Sequence, residues 1–286
     1  MRVRDALHQA AATGVDRLDA QLLLSQLLGQ PRSWLLAHDE HTLSETMATD
    51  WQVRLARRAA GEPLAYVLGE WPFRGLPLTV SPAVLVPRPE TELLVEWALE
   101  CLDTAPSQDV LDLGTGSGAV ALAIAAARPQ ARVQATDTDG AALAVAHINA
   151  TRLGLPVKLS QGDWWAAVPG QKFGLVVSNP PYIAPGDPHL QALGHEPMLA
   201  LTAPDQGLDA LRAIVCGAPQ HLLPGAWLAL EHGHDQAAAV QRMLRDHGFE
   251  QPQTRADLAG MARCTGARWP GGTPAARTAG PPGEGA

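Results

Sequence analysis

The chain has 286 residues, 46% of them hydrophobic, which suffices for one sizeable core and a smaller second domain. Its 21 Lys and Arg against 29 Asp and Glu give a net charge of −8, which argues against a protein that grips a long run of phosphates. Cys101, Cys216 and Cys264 are scattered and odd in number, which argues against a disulfide framework or cysteine metal site. No apolar run has membrane-spanning length or the pattern of a secretory leader, so a soluble cytoplasmic protein with no membrane partner is expected.

From Val3 to Gly61 the apolar residues recur at helical spacing. Val3, Leu7, Ala10 and Ala11 share one face of a first helix. Leu18, Leu22, Leu23, Leu27 and Leu28 stripe a second that stops at Gly29, and Ser33 to Leu36 opens a short third. Ser44 reads as the N-cap of a fourth, which carries Met47, Trp51, Leu55 and Ala59. Together they predict an N-terminal helical bundle domain, residues 1–70. Arg54, Arg57 and Arg58 form either a local basic patch or a solvated helix face. Glu62 to Pro87 is punctuated by Pro and Gly, and residues 71–90 read as a linker with a hairpin around Trp71 to Leu76.

Residues 91–269 read as a second, α/β domain. A helix opens in Pro87 to Glu92 and runs through Leu102, with Glu90 and Glu92 placed to favour its dipole. From Asp109 to Val177 the order is strand, helix, strand, helix, strand, strand, as a parallel sheet requires. The first strand runs into Gly114-Thr115-Gly116-Ser117-Gly118 and then the Ala-rich stretch Ala119 to Ala127. A glycine-rich turn before a helix lets backbone N–H groups approach a ligand closely. The spacing is Gly-x-Gly-x-Gly, not the Gly-x-Gly-x-x-Gly of dinucleotide folds, and no P-loop Lys follows.

The second strand, Arg132 to Thr136, ends in Asp137, placed to accept from a ribose diol. After Val157 to Ser160 comes Gly162-Asp163-Trp164, in which Asp163 suits an adenine amine and Trp164 a flat cover for the base. The apolar run Phe173 to Val177 stops at Ser178-Asn179-Pro180-Pro181-Tyr182, where two prolines end the ladder and fix φ. Either this is a strand-terminating turn, or it recognises a planar NH2 group. In the second case the Asn179 amide oxygen and the Pro180 carbonyl accept its two N–H bonds and Tyr182 packs against the plane.

Leu208 to Leu223 reads as a helix and Ala226 to Leu230 as a further buried strand, ending in Glu231-His232-Gly233-His234-Asp235. Two histidines at that spacing supply too few ligands for a metal, so satisfied polar groups at a strand end are expected. An amphipathic helix, Ala237 to His247, precedes two weak strands, Phe249 to Arg255 and Met261 to Arg268. Residues 270–286 hold little that can be buried and read as a disordered tail.

The order Asp112-Leu113-Gly114-Thr115-Gly116-Ser117-Gly118, Asp137, Asp163-Trp164, Asn179-Pro180-Pro181-Tyr182 resembles the S-adenosylmethionine-dependent methyltransferases that modify planar amine or amide nitrogens. Leu85 to Glu92 and Gly61 to Tyr66 are similar to the protein-(glutamine-N5) methyltransferases of peptide chain release factors, and the resemblance runs from about Ala20 to about Trp269. It implies a Rossmann-like methyltransferase sheet with S-adenosyl-L-methionine held by Gly114, Thr115, Gly116, Ser117, Gly118, Asp137, Trp164 and Asn179. It implies a glutamine substrate held by Asn179, Pro180, Pro181 and Tyr182, with Asn179 and Pro180 catalytic. The helical domain would then help dock the protein substrate, and Arg88 and Glu90 either frame the pocket or serve only the helix.

Glu196 to Leu201 also resembles a family segment, whereas the family's Gly-Gly-x-Asp-Gly stands here as Ala203-Pro204-Asp205-Gln206-Gly207. No direct nucleic-acid partner is expected. The rival reading, a DNA adenine methyltransferase, uses the same four-residue loop on a flipped base but calls for a basic, aromatic target-recognition region. Methylation of another protein, such as a ribosomal one, is the nearer alternative.

Overall fold

The computed structural model describes residues 1–272, so the expected tail lies, from residue 273 on, outside the described residues. The chain divides into two compact units, residues 1–72 with 77–82, and 73–76 with 83 onward.

The first unit is helical: α1 (Val3–Ala12), α2 (Arg17–Leu28), α3 (Arg32–Ala37), α4 (Glu45–Ala59) and α5 (Leu64–Leu68). Its ends follow local chemistry. Asp16 accepts the Leu18 N–H at the start of α2, Gly29 closes that helix at φ +63°, and Ser44 caps α4 by accepting the Met47 N–H. Val3, Ala6, Leu23, Leu24, Leu35, Trp51 and Leu55 form the core. Helix α5 lies in a stretch that the sequence marks only by its Pro and Gly punctuation, and its Ala65, Tyr66 and Val67 are buried. A hairpin, β1 (Glu70–Phe73) and β2 (Leu76–Thr79), turns through Arg74 and Gly75, both at positive φ as a tight two-residue turn needs.

In the second unit, α6 (Glu92–Leu102) precedes β3 (Asp109–Leu113), α7 (Ala119–Ala127), β4 (Arg132–Asp137), α8 (Gly140–Leu153), β5 (Val157–Gln161) and β6 (Phe173–Ser178). Two single turns follow, α9 (Met198–Leu201) and α10 (Pro204–Gly207), then α11 (Asp209–His221), β7 (Leu222–Glu231), α12 (Ala237–Asp246), β8 (Glu250–Ala256) and β9 (Ala262–Arg268). The seven strands lie in the order β5-β4-β3-β6-β7-β9-β8; the first five and β8 run in one direction, and β9, between β7 and β8, runs antiparallel to both. This is the Rossmann-like methyltransferase sheet with an N-terminal helical region that the resemblance implies.

Strand β7 begins four residues before the expected one. Leu222 is buried and pairs with Phe173, and Gly225 at φ +84° bends the strand before it pairs again from Trp227. Every residue of β6 is buried, as a central parallel strand demands. Among the described residues, no helix is long and apolar enough to cross a membrane.

Successive strands step outward from β3 to β5 on one side and from β6 to β7 on the other, so chain direction switches between β3 and β6. Ligands of open α/β sheets bind at such a switch, outside the carboxyl ends of the strands. Leu113 is the register partner of Ser178, and the Ser178 hydroxyl donates to the Leu113 carbonyl at 2.6 Å. Gly114 and Asn179 therefore leave the sheet side by side.

Candidate active site

The turn after β3 is shaped by a buried carboxylate. Asp112 is 1% exposed, and its Oδ2 accepts the Thr115 hydroxyl at 2.6 Å and the Ala121 N–H at 3.2 Å, which ties the glycine turn to the start of α7. Burial pushes its pKa up to about 7, and those two donors oppose the rise. Gly114, Gly116 and Gly118 have φ of +71°, +55° and +84°, a region that only glycine enters freely. The buried Asn149 side chain of α8 donates to the Ser117 carbonyl at 2.9 Å and holds the far side of the turn.

Asp137, at the end of β4, accepts the Gly116 N–H on Oδ2 at 2.9 Å and the Asp139 N–H on Oδ1 at 3.0 Å. Each oxygen keeps acceptor capacity. Its pKa is raised by burial, against the pull of those N–H groups. Trp164 follows β5 at φ +42° and lies over the turn: a Cβ built on Gly114 would stand 3.4 Å from its ring.

These residues line one open cleft of about 1060 Å³, mouth included. Gly114, Thr115, Gly116, Ser117, Asp137, Asp163, Trp164, Asn179 and Pro181 face it; Gly118, Pro180 and Tyr182 are outside its lining. The residues present fit S-adenosylmethionine: a carboxylate with spare acceptors for a ribose diol, a turn without Cβ atoms beside it, and a flat indole for the base.

The loop after β6, Asn179 to Tyr182, is braced from three directions. Asn179 donates its Nδ2 to the Thr91 hydroxyl at 3.2 Å, which leaves Oδ1 as the acceptor available to a ligand. Tyr182 turns its hydroxyl toward Glu231 at 3.5 Å, and burial raises its pKa. Gln236, just before α12, donates to the carbonyls of Tyr182 at 3.0 Å and Gln206 at 3.1 Å.

Gly207 explains why the altered family segment still fits. It has φ +81°, and a Cβ there would stand 2.0 Å from the Tyr182 carbonyl oxygen. The chain thus keeps glycine at the one position of that segment where no side chain can be accommodated, while Asp205 and Gln206 adopt positive φ without one.

At the mouth, the buried Glu196 accepts the Val86 N–H at 3.1 Å and pairs with Arg88, so the segments before α6 and before α9 are clamped together. Arg88 lines the cleft, and Glu90 does not. Sequence reading passed over Thr91, Glu196 and Gln236 as site residues, and took Glu231 only as a polar strand end. His232 donates Nδ1–H to the Gly233 carbonyl at 2.8 Å, so its Nε2 accepts from the Thr265 hydroxyl at 2.7 Å. Both ring nitrogens are used inside the sheet.

Comparison with known proteins places this geometry. The methyltransferase small domain family matches residues 90–196, and the PrmC N-terminal domain family matches residues 2–69. A protein named release factor glutamine methyltransferase from Bordetella pertussis is 49% identical over 259 residues, 90% of this chain and 96% of its own length. The chain belongs to the release factor glutamine methyltransferase family. A Burkholderia pseudomallei protein of the same name is 49% identical over 91% of this chain and 94% of its own. The fold is shared more widely: a methyltransferase from Pyrococcus furiosus superposes with a TM-score of 0.51 at 21% identity, over 78% of this chain and 99% of that one. The glycine turn and, from the Asn-Pro-Pro-Tyr loop, Asn179 and Pro181 line one cleft.

Proposed function

We propose that this protein transfers a methyl group from S-adenosylmethionine to the side-chain amide nitrogen of a glutamine, that of the Gly-Gly-Gln motif, in a peptide chain release factor. The observation that carries this reading is the available Oδ1 of Asn179, an acceptor at the sheet switch point in the same cleft as the glycine turn. When bound, the cofactor supplies an electrophilic methyl group on a sulfonium. Asn179 Oδ1 accepts one N–H of the glutamine amide and the Pro180 carbonyl the other, which turns the nitrogen's face toward the methyl.

An amide nitrogen is a poor nucleophile because its lone pair is delocalised into the carbonyl. As the new N–C bond forms and the S–C bond breaks, positive charge develops on that nitrogen. Acceptors fixed beforehand stabilise this charge without reorganising. The nitrogen then gives up one proton to solvent, so no titrating base is required next to it. Asp137 and Trp164 hold the ribose and base ends, and the Glu196 clamp keeps the two segments at the mouth together.

The helical residues 1–70 act in docking the protein substrate, supported by their match to a family N-terminal domain. Nucleic acid has no part in the proposed reaction, and the net charge of −8 favours a protein substrate over duplex DNA. The reaction takes place in the cytoplasm, where release factors work and where three unpaired cysteines stay reduced.

The test is incubation of the purified protein with labelled S-adenosylmethionine and a purified bacterial release factor, followed by mass spectrometry of the Gly-Gly-Gln peptide. One methyl group on that glutamine is the expected result. Label absent there but present in duplex DNA or a ribosomal protein overturns the substrate assignment.

A further inference from the structure

Helix α9 sets two large apolar side chains in water: Met198 is 50% exposed and Leu199 79%, whereas Leu201 on the same turn is buried. A single exposed leucine needs no explanation. This one, however, is held where it stands. Ahead of the turn, the buried Glu196 accepts the Val86 N–H and pairs with Arg88. Within it, the Thr202 N–H donates to the Met198 carbonyl at 2.9 Å. Behind it, the Ile183 N–H donates to the Leu201 carbonyl at 2.9 Å and the Ala203 N–H to the Ile183 carbonyl at 3.0 Å, which joins α9 to the residue after Tyr182. Pinned at both ends, the turn cannot roll Leu199 inward without breaking these bonds and lifting Leu201 out of its packing.

Leu199 also faces the cleft. With Pro197 and Ala200 it lines the same cavity as Asn179 and Pro181, while Met198 stays outside that lining. A glutamine side chain reaches only about 5 Å from its Cα to its amide nitrogen, so a glutamine that meets Asn179 Oδ1 keeps its backbone at the rim of this cavity. Where α9 forms that rim, it is apolar and fixed. We propose that Leu199, with Pro197 and Ala200, is the wall on which the substrate backbone rests, and that this wall selects a glutamine preceded by glycine. The inference rests on the glutamine-amide reading above and adds to it the residue that sets which sequence is accepted around the glutamine.

A leucine side chain offers a peptide no hydrogen bond, so the wall reads shape. Glycine lets the backbone lie directly against the Leu199 methyl groups. Any other residue there puts a Cβ between backbone and wall, and that bond of about 1.5 Å lifts the chain by a similar distance. The glutamine side chain cannot lengthen to compensate, so its nitrogen is drawn back from Asn179 Oδ1. A misplacement of about 1 Å costs about 10²-fold in rate. The same contact supplies affinity: covering the exposed part of one leucine strengthens binding by about five- to thirty-fold. The groups proposed for the cofactor's ribose and base, Asp137 and Trp164, follow β4 and β5 and not α9, so cofactor affinity is independent of Leu199.

The experiment compares two substrates, a full-length release factor and the same factor with alanine in place of the glycine just before its glutamine. The enzymes are the wild type, Leu199→Ala and Leu199→Met, each with steady-state methylation kinetics and cofactor Kd by calorimetry. Leu199 is mostly exposed, so both variants should fold. With the unaltered factor, Leu199→Ala should raise KM by about five- to thirty-fold at unchanged kcat and cofactor Kd, and Leu199→Met should recover most of it. The wild type should prefer the glycine factor by about 10²-fold in kcat/KM, and Leu199→Ala should narrow that preference by about ten-fold or more. An unchanged KM, a preference as wide in Leu199→Ala as in the wild type, or a rise in cofactor Kd in place of KM overturns this inference and leaves the functional reading standing. A wild-type enzyme that never methylates the release factor overturns both.

Discussion

At the scale of single residues, the two ends of the cleft should respond differently to mutation. Asn179 touches Thr91 with its Nδ2 and, in the proposed reaction, offers Oδ1 to the substrate, so Asn179→Ala should lower kcat by about 10²-fold or more, the usual cost of one preorganised group at a charge-developing atom. Cofactor Kd by calorimetry should barely move. Asp137→Ala should do the reverse, because it removes the proposed ribose acceptor and also releases the Gly116 N–H. We expect its cofactor Kd to rise by about ten-fold or more, an amount that one charge-assisted hydrogen bond supplies. Unchanged affinity would remove Asp137 from the site. The glycine turn, Asp137 and Asn179 were legible in the chain because each directly follows an apolar strand. Thr91, Glu196 and Glu231 fall in segments the sequence marks, yet their individual contacts were not legible, since their partners lie 88, 110 and 49 positions away.

Among elements, the segment between β6 and α11 carries the sharpest steric demand. Gly207→Ala places a methyl group 2.0 Å from the Tyr182 carbonyl at φ +81°, so the loop that ends in Tyr182 must move. The variant should unfold at lower temperature and lose turnover together, because Gln236 ties the same carbonyl to Gln206. Calorimetric unfolding and a methylation assay check both, and a variant with wild-type kcat would show that the loop has room. Glu196→Gln should have a milder, mouth-specific effect: it keeps the Val86 contact but loses the Arg88 ion pair, and cofactor Kd should rise with little change in melting temperature.

The sheet and most helices were readable from periodicity and caps, as Ser44 and Gly29 show. Helix α5 escaped because five residues between Pro63 and Gly69 look like a turn, and only burial of Tyr66 and Val67 makes them a helix. The early start of β7 was hidden by Pro224 and Gly225, which break the apolar pattern without ending the strand.

For the molecule as a whole, two fully buried acids make stability depend on pH in an uncommon direction. Asp112 and Glu231 both have folded pKa values near 7, above their ordinary values of 3.8 and 4.5. A carboxyl raised in the folded state adds stability that is fully present below its unfolded pKa and is lost as pH rises through the folded value. The melting temperature of the apoprotein should therefore fall between about pH 4 and pH 7. Glu231→Gln should flatten that fall and melt higher than the wild type at pH 8. A wild-type melting temperature that climbs across this interval would show that these two carboxyls ionise freely.

The hydroxyl of Ser178, bonded to the carbonyl of Leu113, gives the two motifs a shared anchor. They are 65 positions apart in the chain, yet this one hydrogen bond sets their ends side by side. A slip of β6 by one residue would shift Asn179 by about 3.3 Å and turn its side chain to the other face of the sheet. Retargeting this scaffold to a new amide is thus a matter of rebuilding the rim, because the pair at the centre tolerates no intermediate setting.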